Sequence, residues 1–168
     1  TSYRACLKAN RTLVVDLYTA EVLELLAASG TIPQAGWKNL KVVITRAFSR
    51  LYKSKGREDF IERMLPNAIS AAALTTRRSE WVAMIRPSLM RDFKSKRVDP
   101  DGQDAWSYSQ WHGYLKQPDG QALADWFGEG GSTADHIHTS GHASVAHLKE
   151  FAAAIRPRKF VPIHGNSW

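Results

Sequence analysis

Hydrophobic and polar positions alternate along this chain in two rhythms. Short, continuous apolar runs rich in β-branched residues, TLVVDL (12–17), LKVVIT (40–45) and WVAMI (81–85), predict strands buried on both faces. Pro87 closes the third. Between them the period lengthens to that of a helix. TAEVLELLAAS (19–29) puts Val22, Leu23, Leu25 and Leu26 on one face, with Thr19 as predicted N-cap, Glu21 in the first turn and Gly30 as the stop. REDFIERML (57–65) and QALADWF (121–127) predict further helices, the latter ending in a flexible break at GEGG (128–131). DAWSYS (104–109) alternates polar and apolar positions and predicts a strand. The chain then predicts strand DHIHTS (135–140), helix SVAHLKEFAAAI (144–155) and strand KFVPI (159–163).

Apolar strands separated by amphipathic helices predict an α/β fold, a parallel β-sheet flanked by helices, with right-handed crossovers. Ligands of such sheets sit beyond the carboxyl ends of the strands. Those ends carry Asp16, Thr45 with Arg46, Arg86 with Ser88, and Ser109 with Gln110. Together they predict a polar rim, a candidate binding cleft.

Composition narrows the class. Across 168 residues, 43% are hydrophobic and six are Trp, enough for a packed core. No apolar run approaches the roughly 18 residues of a membrane span, and no secretory signal is visible, so a cytoplasmic protein without membrane association is expected. Thr1 is not an initiator Met, which predicts a processed chain, an engineered piece or a proteolytic fragment. The single Cys6 has no partner for an internal disulfide and reads as a spectator thiol.

Charge points to a polyanion. The net charge is +7 and the pI about 9.7. TRAFSRLYKSKGR (45–57) carries Arg46, Arg50, Lys53, Lys55 and Arg57 with Phe48 and Tyr52 interleaved, and RDFKSKR (91–97) adds Arg91, Lys94, Lys96 and Arg97. Positive charge with interleaved aromatics suits single-stranded nucleic acid, RNA in particular. The competing reading is an exposed basic loop. Arg46, Arg50, Lys53, Arg86 and Ser88 are the candidate phosphate contacts in these segments.

Five of the six histidines crowd into residues 136–168, in ADHIHTSGHASVAHLKEF and FVPIHG. Gly141 permits a tight turn between strand and helix, and Ser144 can cap that helix. A helix start with free N–H groups favours an anion, and His138, Ser140 and His142 would surround it. His164 ends a strand just before Gly165, a setting found both for metal ligands and for core histidines. The strand–turn–helix–strand order brings His142 and His164 to one sheet edge.

Taken together, HTSGHASVAHLKEFAAAIRPRKFVPIHG resembles the end of the metallo-β-lactamase-fold nucleases that carry a β-CASP domain, such as ribonuclease J. SGHA resembles the family's motif B and PIHG its motif C. LVVDLYTAEVL, WVAMIRPSLMRD and YSQWHGYL resemble the β-CASP insertion. The resemblance implies a β-CASP domain over 1–131 and a return segment of the metallo-β-lactamase domain over 132–168. It implies His164 as a zinc ligand, His142 as a catalytic group at the scissile phosphate, and Ser140 and His138 as phosphate-side residues. The partners implied are RNA and an N-terminal metallo-β-lactamase portion. Oligomeric state is left open, a homodimer included.

The departures are specific. The family's His-x-His-x-Asp-His signature does not occur in these 168 residues, and Asn166 follows Gly165 where ribonuclease J relatives have Glu. The chain alone is therefore expected to be inactive. Three readings stand at this point: part of a zinc-dependent ribonuclease, a non-catalytic nucleic-acid-binding or assembly module, and a metallo-hydrolase acting on a small molecule.

Overall fold

The structure, a computed structural model, describes residues 1–137 and 144–159. In chain order the elements are α1 (Ser2–Lys8), β1 (Thr12–Asp16), α2 (Leu17–Leu25), β2 (Leu40–Val43), α3 (Arg46–Ser54), α4 (Glu58–Met64), β3 (Ala68–Ile69), β4 (Trp81–Ala83), α5 (Pro87–Ser95), β5 (Ala105–Tyr108), α6 (Pro118–Glu129), β6 (Thr133–His136) and α7 (Val145–Ile155). Short 3-10 turns fill several connections.

Among the described residues all strand pairs are parallel. One sheet runs in the order β3-β2-β1-β4, and β5 and β6 form a second, two-stranded sheet. The register sets Leu13 beside Leu40 and Val82, and Tyr108 beside His136. The α/β architecture expected from the apolar runs is thus present. Strands alternate their side chains between the two faces, and here both faces are apolar. Leu13, Val15, Leu40 and Val42 pack with Cys6, Leu17, Tyr52, Phe60 and Met64. Val14 and Val43 pack the other way, with Leu89, Phe93, Leu123, Trp126 and Phe127. That double burial is why the strands read as unbroken apolar runs. Phe60 and Phe93 are fully buried, and truncating either to Ala would cost about 3–5 kcal/mol.

Chain order reverses between β1 and β4. β2 and β3 lie on one side of β1, and β4 returns to the other. This switch point is where the carboxyl ends of neighbouring strands leave a crevice. A second opening lies between the two sheets. β4 and β5 are not hydrogen-bonded to each other, and a cleft of about 900 Å³ is lined by residues 81–87 from one side and 104–110 from the other.

Several expectations change. The N-cap of α2 is Asp16, whose Oδ1 accepts from the Thr19 backbone N–H at 2.7 Å, so the helix starts two residues before the predicted Thr19 cap. An extended Asp at the strand end fills the cap position directly. That helix ends at Leu25, and a separate 3-10 turn over Ala27–Ser29 runs to Gly30. The basic stretch 45–57 is not a loop: α3 occupies most of it, capped by Thr45 and anchored by buried Tyr52. Pro87 does more than close a strand. It sits in the first turn of α5, where its missing N–H costs nothing, and Leu89 and Phe93 one turn apart bury that helix. The break expected over GEGG starts later, since α6 continues through Glu129 and the chain turns only at Gly130 and Gly131. A Cβ on Gly130 would meet the Pro100 carbonyl oxygen at 2.3 Å, so the glycine permits close backbone packing. The predicted strand at 159–163 lies almost wholly outside the described residues. Among the described residues, no helix is long and apolar enough to cross a membrane.

Candidate functional site

The carboxyl edge at the switch point is built around one buried carboxylate. Asp16 ends β1 and is 1% exposed. A buried carboxylate is costly unless its charge is compensated. Arg86, three residues beyond β4, supplies that charge: its Nε lies 2.8 Å from Asp16 Oδ2 as an ion pair, without hydrogen-bond alignment. Arg86 Nη2 donates to Thr19 Oγ1 at 2.8 Å and reaches Asp16 Oδ1 at 3.5 Å. The guanidinium also lies over the Tyr18 ring, 4.9 Å from its centroid. Arg86 is thereby held at the mouth of the cleft, while Nη1 has no hydrogen-bond partner among the described residues. The arrangement can offer a fixed guanidinium edge to an anion, with most of its charge already balanced.

The end of β2 continues the rim. Thr45 is buried and its Oγ1 accepts from the Phe48 N–H. Asp92, from α5, accepts from the Ala47 N–H at 3.0 Å. Two of the free N–H groups in the first turn of α3 are thus already engaged, which leaves little for an added anion.

α3 sorts its residues by face. Arg46, Arg50 and Lys53 follow one another at four- and three-residue spacing, which aligns them on one exposed stripe. Phe48 and Tyr52 face the core. Among the described residues no carboxylate pairs with Arg46, Arg50, Lys53 or Lys55. Arg57 is committed elsewhere, to Glu21 at 2.8 Å. Glu21 also accepts a short hydrogen bond from the Tyr52 hydroxyl, and burial, reinforced by that bond, pushes the phenol above its ordinary pKa. The stripe therefore rides on a fixed helix. Ser88 is exposed in the first turn of α5, two residues beyond Arg86, and its side chain makes no hydrogen bond among the described residues.

At the ends of β5 and β6 the polar residues meet histidines. Tyr108 donates to Gln110 at 3.3 Å, and the His136 Nε2 donates to the Gln110 carbonyl at 2.9 Å. The His136 ring stacks on Tyr108 and stands perpendicular to His112, 5.2 Å between centroids. Ser144 caps α7, accepting from the His147 N–H at 3.2 Å, as expected, and His147 is exposed. His138, Ser140, His142 and His164 lie outside the described residues. Among the described residues no three His, Cys, Asp or Glu side chains gather as a metal would need, so these residues by themselves do not fit a zinc ion.

Of the predicted rim, the structure joins Asp16 and Arg86 directly, with Thr45 and Arg46 one strand away in the same sheet. Ser109 and Gln110 belong to the other sheet and share the cleft with Arg86. Sequence reasoning missed Thr19, Tyr18 and Asp92 as members. Only tertiary contacts reveal Asp92, 45 residues from its partner. The alternation of polar Asp16 and Thr19 across a strand–helix junction was a local sign for the other two.

Comparison with known families gives one match. Residues 133–167 match the family described as Zn-dependent metallo-hydrolase RNA specificity domain. The match begins at β6 and takes in α7. It supports the metallo-β-lactamase superfamily for this segment, and with it a part of a zinc-dependent metallo-hydrolase with RNA specificity. No curated protein and no solved structure gave a significant match.

Proposed function

We propose that this chain is the RNA-handling part of a zinc-dependent, metallo-β-lactamase-fold ribonuclease that cleaves phosphodiester bonds, with residues 1–131 as a β-CASP domain and 132–168 as the return segment. The observation that carries the reading is the match of 133–167 to an RNA specificity domain of zinc-dependent metallo-hydrolases. That segment is joined through β6 to an α/β domain whose basic stripe and polar rim suit a phosphate backbone. In this reading His164 is a zinc ligand. His142 stabilises charge at the scissile phosphate, with Ser140 and His138 beside it. Arg46, Arg50, Lys53, Arg86 and Ser88 hold the strand upstream or downstream of the cut. The remaining ligands belong to a metal-binding domain bearing His-x-His-x-Asp-His, and the enzyme works in the cytoplasm.

α7 supports a packed partner domain. Val145, Leu148, Phe151 and Ile155 are 69%, 44%, 61% and 57% exposed, a large apolar surface on one helix.

The test is cleavage of end-labelled single-stranded RNA. The chain alone with zinc leaves it intact, and the protein carrying the metal-binding domain cleaves it. In that protein His164→Ala lowers bound zinc, and His142→Ala lowers kcat by roughly 100- to 1000-fold, the range for a lost oxyanion-type contact. Zinc-dependent cleavage by the chain alone, or full zinc in His164→Ala, refutes the assignment.

A further inference from the structure

The turn after β5 displays aromatic rings where a soluble domain would ordinarily bury them. Trp111 is 54% exposed and Tyr114 is 47% exposed. They meet edge to face, with centroids 5.4 Å apart. His112 and His136 are also exposed and stand perpendicular, and His136 is seated on Tyr108 beneath it. Four rings thus share the surface formed by the 111–116 turn and the end of β6.

Local structure supports three of the rings. A Cβ at Gly113 would lie 2.2–2.6 Å from three atoms of the Trp111 six-membered ring, so the indole occupies space that only glycine leaves free. A 3-10 turn over His112–Lys116 carries Tyr114, and His136 is held by its bond to the Gln110 carbonyl. Half-exposed rings supported in this way lose little entropy when a flat partner settles on them.

The chemistry around the rings selects that partner. The 111–116 turn bears Lys116 and no carboxylate, on a chain of net charge +7, and the nearby Asp119 and Asp135 leave that balance positive overall. Tyr114, Gln110 and Ser109 line the same cleft as Arg86, so a polyanion backbone passing the guanidinium runs beside the rings. Flat, π-faced groups on a negatively charged thread are the bases of a single-stranded nucleic acid.

We propose that Trp111, Tyr114, His112 and His136 form a base-stacking platform for single-stranded RNA, an assignment that rests on the RNA-handling reading above. The platform grips bases without reading their identity, because every base has a π-face. The basic stripe of α3 grips phosphates, so the two surfaces respond to different probes.

The experiment measures binding of the full chain to labelled oligouridylate and to an abasic phosphodiester of equal length, at several salt concentrations. Trp111→Ala weakens oligouridylate binding about 5- to 150-fold, leaves the abasic strand unaffected and keeps the salt slope. Trp111→Phe restores most of the affinity. Gly113→Ala, which displaces the indole, weakens binding in the same direction. Trp111→Ala binding both strands as the parent does overturns the platform and leaves the RNA-handling reading standing. A parent chain that binds neither strand overturns both.

Discussion

Replacing Arg86 by Ala tests the organisation of the switch point. The change leaves Asp16, at 1% exposure, with only the Thr19 N–H to oppose its charge. Breaking a fully buried pair by removing one partner costs about 3–5 kcal/mol. The Arg86 side chain is 36% exposed, so water enters the vacated space and reduces the loss to about 2–3 kcal/mol. For a chain of this length that lowers Tm by roughly 4–12 °C. Asp16→Asn separates charge from capping, since Asn caps a helix about as well as Asp. In that background no buried charge remains to be stranded, and Arg86→Ala should cost less than about 1 kcal/mol. Urea unfolding of the parent, both single variants and the double variant closes the cycle, with an expected coupling of at least about 1 kcal/mol. Additive losses would refute the reasoning, because they would mean that Arg86 contributes packing over Tyr18 and not compensation of Asp16.

Two further predictions concern α3. The phenol of Tyr52 is raised above its ordinary value of 10.0 by burial and by its bond to Glu21, so its stabilising share is complete below about pH 10 and is lost as pH rises beyond that. Tyr52→Phe should therefore flatten the alkaline fall in stability, measured by urea midpoints from pH 8 upward; an unchanged alkaline limb would contradict it. Replacing Arg46, Arg50 and Lys53 together by Gln should weaken binding to unrelated single-stranded RNAs alike and flatten the salt slope by up to about 2, at roughly 0.7 per lost phosphate contact. Wild-type slope and affinity would make the stripe a solvated face.

What the sequence made legible follows from burial. β1 and β2 are covered on both faces, so their apolar runs admit one interpretation. α3 carries its period openly, with Phe48 and Tyr52 one turn apart facing the core and the cations on the other side, but its charge reads first as a nucleic-acid contact and only then as one face of a helix. β3 consists of two residues, Ala68 and Ile69, too few for any period to show. The candidate site was legible as a list of polar strand ends but not as an arrangement. Asp16 and Arg86 are 70 residues apart, and only the strand order places them side by side. Gly113 and Trp111 sit two positions apart in plain view, yet nothing in one sequence tells a turn glycine from the seat of an indole ring.

The missing ladder between β4 and β5 has a consequence for cooperativity. The four-stranded sheet closes its own backbone hydrogen bonds, and the β5–β6 pair closes its own. What joins them is side-chain packing: Trp106 stacked on Phe127 at 4.6 Å, Phe93 against Trp126, and the ions that tie Arg78 to Asp101 and Asp104. Side-chain contacts separate over shorter distances than a strand ladder and leave each half's amides paired. The two halves therefore constitute separate opening units, so that amide exchange in β5 and β6 can proceed through an excursion that leaves β1 and β2 protected. β6, paired to β5 residue by residue, opens with it in that excursion, and the aromatic seam is the hinge.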